Sequence, residues 1–80
     1  MNYYLIKIVI NDKGQDGTSI NMFNSLDSAQ VNYHQTLATY YNAQDVAHAV
    51  VEILDTYGRI VGNFHEEVNH YQPEPEPNEE

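Results

Sequence analysis

The 80-residue chain contains no cysteine, which excludes disulfide bonds and thiolate metal sites and leaves the redox compartment open. Basic residues are almost as scarce, with only Lys7, Lys13 and Arg59 present. Three scattered cations cannot neutralise a phosphate track, so direct binding to nucleic acid is disfavoured. Long apolar runs are missing as well. The apolar opening YYLIKIVI is interrupted by Lys7 and is too short to span a bilayer. It also lacks the basic leader and small-residue cleavage site of a secretion signal. The expectation is a soluble, cytoplasmic protein that does not engage a membrane. Glycine-rich phosphate loops and local serine–histidine–acid signatures are absent too, so no catalytic residue and no cofactor is expected.

What the chain has instead is acid. The net charge is −9, from twelve acidic residues against three basic ones. Glu66, Glu67, Glu74, Glu76, Glu79 and Glu80 lie at the C-terminal end with no base among them. From about Tyr71 the composition changes to QPEPEPNEE, where alternating prolines remove backbone donors and favour an extended conformation. At a rise of ~3.1 Å per residue, Glu74 and Glu76 sit about 6 Å apart. The sequence therefore predicts one small domain over residues 1–70 and a disordered acidic Pro/Glu tail over 71–80. The tail is either a solubiliser or a lure for a basic groove, imitating a phosphate backbone. In the second case Glu66 and Glu67 extend the acidic patch onto the folded domain.

Residues 3–10 predict a strand from their aromatic and β-branched content. Alternation places Tyr4, Ile6, Ile8 and Ile10 on one face and Tyr3, Leu5, Lys7 and Val9 on the other. The turn cluster NDKGQDG precedes a shorter strand, TSINMFN, with Ile20 and Met22 on one face and Phe23 on the other. Ser25 is a suitable N-cap for a helix over about 26–42, with Asp27 in its first turn. Leu26, Ala29, Tyr33, Leu37 and Tyr40 make one apolar stripe, which Val31, Ala38 and Tyr41 widen. DVAHAVVEIL and RIVGNFHEEV predict a third and a fourth strand around the turn DTYG, which suits a type I turn with Gly58 in the left-handed region. A hairpin closed on Asp55 and Arg59 places Val50 opposite Phe64 and His48 opposite Glu66. A four-residue loop places His48 opposite His65 instead, and the choice stays open.

The order β-β-α-β-β has a natural solution. A right-handed crossover sets the third strand beside the first, giving an α+β fold with a four-stranded antiparallel sheet of order 2-1-3-4 and the helix on one face. Tyr4 is expected in the core. Tyr3, Leu5 and Val9 are then left on an uncovered face, and an uncovered apolar sheet face usually marks an interface. The expected partner-binding residues are Tyr3, Leu5, Val9, Phe23, Glu66, Glu67, Glu74 and Glu76. Seven tyrosines fit an interface or the rim of a small core equally.

The stretch NFHEEVNHY, residues 63–71, resembles a zinc-protease H-E-x-x-H motif but departs from it. That motif needs histidines at i and i+4 on one helical face. Here Asn69 stands in the second position, and His70 follows one residue late. In a strand, His65 and Glu67 point away from Glu66 and Val68, so charged residues guarding a sheet edge are expected rather than a metal site.

The opening YYLIKI, the helix SLDSAQVNYHQTLATYY and the hairpin ILDTYGRIVGNFHE together are similar to small uncharacterised proteins of phages and prophages in Gram-positive bacteria. The likeness covers residues 3 to about 67 and includes no catalytic motif. It implies stoichiometric inhibition of a host protein, as in inhibitors of CRISPR and other defence systems. The partner it implies is a protein of the host bacterium, those that handle nucleic acid included. Two alternatives differ in class: a self-associating structural homodimer with a solubilising tail, and a small-ligand or nucleotide sponge at a dimer seam.

Overall fold

The computed structural model describes residues 1–70. The tail expected from residue 71, with Glu74 and Glu76, lies outside them. The elements are β1 (Tyr3–Asn11), β2 (Asp16–Phe23), α1 (Leu26–Asn42), β3 (Val46–Leu54) and β4 (Ile60–Asn69). They form an α+β fold with one antiparallel sheet of order β2-β1-β3-β4, the order that the crossover rule predicts.

Local chemistry accounts for each boundary. The Ser25 side chain accepts the backbone N–H of Ser28 at 3.2 Å and caps α1. Between β1 and β2, the Asn11 side chain accepts the N–H groups of Lys13 and Gln15, each at 2.9 Å, and Gly14 takes φ +82°. Between β3 and β4, the Asp55 carboxylate accepts the N–H groups of Tyr57 at 2.8 Å and Arg59 at 3.0 Å. The bond from Arg59, then that from Tyr57 and the guanidinium charge, hold the Asp55 carboxyl below its ordinary pKa. The Asp55 N–H also donates to the Arg59 carbonyl at 2.8 Å, so this hairpin closes on the expected pair. Gly58 is left-handed at φ +80°, as the turn type requires.

The helix seats Ala29, Tyr33 and Leu37 against Leu5, Val46, Ala49, Val51, Ile53 and Val68, all buried. The stripe read from the sequence is therefore the docking stripe. Val31, Ala38 and Tyr41 do not widen it and lie exposed.

The sheet faces are the reverse of those expected. Leu5 is buried under the helix, and Tyr3, Val9 and Phe23 pack against the same core. Tyr4, Ile6, Ile8 and Ile10 turn to the other side. β1 carries apolar residues on both faces, and its one charge, Lys7, lies half-buried on the face that the helix covers, so its neighbour decides the matter. In β3 one face carries Ala49, Val51 and Ile53, and the other carries His48 and Glu52. His48 and Glu52 cost more to desolvate than the alkyl groups of Ala49, Val51 and Ile53, and the His48/Glu52 face stays open. The register pairs Leu5 with Ile53 and Val9 with Ala49, which carries Leu5 and Val9 into the core.

Neither register expected for the last hairpin persists along its length. Leu54 lies opposite Ile60, as expected, but Glu52 lies opposite His65, Val50 opposite Glu67 and His48 opposite Asn69. Between Ile60 and His65, β4 advances five residues while β3 advances two, so the strand bulges by three residues. Gly62, at φ +53°, supplies the left-handed backbone that such a bulge uses. The bulge lets both Val61 and Phe64 pack against the core, which strict alternation would forbid.

Candidate interaction face

The side of the sheet away from α1 is covered by nothing in the described chain. Its residues follow from the registers as four cross-strand rows. Met22, Tyr4, Leu54 and Ile60 form the first, which is entirely apolar. Ile20, Ile6, Glu52 and His65 form the second, and Thr18, Ile8, Val50 and Glu67 the third. Asp16, Ile10, His48 and Asn69 close the far end. The β2–β1 half is thus predominantly aliphatic, with Asp16 at its end, and the β3–β4 half carries the polar groups. Solvent reaches 61% of Ile20, 62% of Met22 and 47% of Ile60. Single exposed aliphatics are ordinary, but a contiguous set on a flat sheet is the mark of an interface.

The polar half is organised rather than loose. His65 Nδ1 and Glu52 Oε1 stand 2.8 Å apart across β3 and β4. His65 therefore meets Glu52, not His48. Glu67 shares this face, while Glu66 points to the helix side and accepts the Tyr41 hydroxyl. The two acids expected to form one patch are divided between opposite faces. At one end of the open face, Ile10, Asn11, Asp12, Gly14, Ala47, His48 and Asn69 line a wide depression of about 430 Å³. Among the described residues, no three histidine or carboxylate side chains gather as a metal site.

On the helix side, the end of β4 is tied to the end of α1. His70 Nε2 meets the Tyr40 carbonyl oxygen at 2.7 Å, and the His70 backbone N–H donates to Ala47 at 2.9 Å. The Tyr41 hydroxyl is raised above its ordinary pKa, first by the hydrogen bond to Glu66 and then by burial. Burial, then the Glu66 charge, raises Tyr33, and burial raises Tyr40. Groups whose folded pKa is raised stabilise the fold below their unfolded pKa, near 10, and lose that contribution as pH rises through the folded value. From these tyrosines we expect stability to fall above about pH 10. Tyrosinate absorbance should then show these three titrating late, together with loss of the helical signal. Tyrosinate formation complete before any unfolding would contradict the seat described.

Among the described residues expected to bind a partner, only Glu67 lies on the open face. Leu5 has no surface to offer, Tyr3, Val9 and Phe23 serve the core, and Glu66 serves the helix. The open face instead holds Ile6, Ile8, Ile20 and Met22. The signal for them was the spacing of His48 and Glu52, two polar residues on one face of β3. No helix among the described residues is long and apolar enough to cross a membrane. Compared with protein-family models, curated proteins and solved structures, the chain matches none.

Proposed function

We propose that this protein is a non-enzymatic binding module that acts by occupying a partner protein through its open sheet face. The observation that carries the reading is the contiguous apolar set Met22, Tyr4, Leu54, Ile60, Ile6, Ile20 and Ile8, uncovered in the described chain and flanked by a polar margin. An apolar centre with a polar rim is the usual anatomy of a protein–protein contact. Glu52 and Glu67 favour a partner whose matching rim is basic. The resemblance to small phage proteins makes the partner a protein of the bacterial host, blocked stoichiometrically in the cytoplasm. A partner that handles nucleic acid would present such a basic rim.

The test compares the tagged chain with its Ile8→Lys variant in bacterial lysate, at low and high salt. Ile8 is 37% exposed, so a lysine there can extend to water and leave the fold intact, which circular dichroism checks. The unaltered chain should retain one protein in near-equal amount, and the variant should retain at least tenfold less, as for a residue central to an interface. Removing residues 72–80 should weaken capture at low salt only, because steering by charge is screened at high salt. Equal capture by the parent and Ile8→Lys sinks the reading.

A further inference from the structure

The two edges of the sheet are unlike. β4 is blunted by the Gly62 bulge, where three extra residues break its ladder, and it carries His65, Glu66 and Glu67. Bulges and charges of this kind stop an edge strand from recruiting another chain. β2 has no bulge. Among the described residues it pairs with β1 alone, it is exposed from Asp16 to Met22, and its ladder with β1 is unbroken. Its one charge is Asp16, at its first position, and it contains no proline. Such an edge presents unpaired backbone N–H and C=O groups at every second residue, which is a template for a further strand.

We propose that β2 pairs antiparallel with β2 of a second copy of this chain, joining two sheets into one of eight strands. Charge selects this occupant. A chain of net charge −9 repels its own copies, but the segment from Gly17 to Leu26 carries no charge, so two copies approach there without opposing acids. The blunted β4 edge then closes the assembly at two copies, where two open edges would propagate a fibre.

The strand also fits itself. Antiparallel partners must have matching outward backbone groups, so a residue pairs only with one of the same parity. Centring the pairing on Ile20 uses the strand from Gly17 to Phe23. Ile20 then meets its own copy, Thr18 meets Met22, and Ser19 meets Asn21. Gly17 meets Phe23, a pairing in which an aromatic ring covers an edge glycine. A Cβ built at Gly17 would find nothing within 4 Å, so the ring has room. The Asp16 carboxylates end at opposite extremes, each across from Asn24. The two-fold axis stands perpendicular to the sheet, so both helices lie on one side and both open faces on the other.

The proposal does not rest on the protein-binding role of the open face, and its test separates the two. Because the chain has no cysteine, single substitutions report proximity cleanly. Directly opposed residues have Cα atoms about 4.5–5.5 Å apart, within disulfide range. Under mild oxidation Ile20→Cys should form a covalent dimer at least tenfold faster than Gln35→Cys, an exposed position on the helix. Ile8→Cys should link no faster than that control, since the two copies of β1 are about 14 Å apart across three strand spacings. At high concentration the unaltered chain should sediment at twice its 9.2 kDa mass, and Ile20→Asp should raise the dissociation constant at least tenfold. Linking of Ile20→Cys no faster than Gln35→Cys overturns the proposal. So does fastest linking at Ile8→Cys, which would mean that the open faces pair instead.

Discussion

Leu5→Ala lowers the stability of the domain by about 2–4 kcal/mol, while Ile6→Ala, one residue on, costs no more than about 1 kcal/mol. Leu5 is 1% exposed, between the helix and Ile53. Truncation there removes buried methyl groups and leaves a cavity that the sheet cannot collapse to fill. Ile6 stands on the open face, half in water, and its truncation leaves no void. For a domain of this size each kcal/mol shifts Tm by roughly 4–8 °C, so Leu5→Ala should melt some 10–30 °C lower. Urea unfolding followed by circular dichroism measures both variants. The opposite ranking would mean that the helix covers the other face.

Tyr33→Ala should cost about 3–5 kcal/mol, in the range for removing a buried aromatic ring. Tyr33 is 4% exposed. Its ring meets Phe64 edge-on at 5.3 Å and His34 edge-on at 5.3 Å, so the substitution removes core volume and two aromatic contacts together. Tyr33→Phe keeps the ring and should be far milder. The Tyr33–Phe64 pair should also be coupled, by about 0.5–1.5 kcal/mol in a double-mutant cycle with Phe64→Ala. That coupling depends on the Gly62 bulge, which brings Phe64 to the helix side. A cycle that closes at zero would show that the rings are neighbours without interacting.

These two substitutions also show where the sequence was and was not sufficient. The elements and their order were legible because each carries its own local signal: β-branched runs for the strands, Ser25 for the helix start, Asp55 and Gly58 for the last turn. The sheet face was not legible from β1, where both faces carry apolar residues and the one charge, Lys7, sits on the face that the helix covers. The deciding information sat in His48 and Glu52, on β3 beyond the helix, and acts only through the strand register. The register of β4 was hidden for another reason. Gly62 in a strand pattern looks like any weak strand residue, and only its positive φ makes it the centre of a bulge. With the faces exchanged, Tyr3, Leu5, Val9 and Phe23, expected as contact residues, serve the core, and Tyr4, expected in the core, lies on the open face.

The place of β1 in the sheet has a consequence for how the chain comes to be folded. β1 is central, yet its two neighbours are reached at very different times. β2 follows after a tight turn, so the first hairpin can form within microseconds. Leu5 must wait for Ile53, and until α1 is made the hairpin carries apolar side chains on both faces with nothing seated against them. Closing that long loop is an entropic cost met before its contacts form, which makes β1–β3 docking the slow step. During synthesis, the nascent hairpin is the species most exposed to aggregation, and α1 is made in time to begin shielding it.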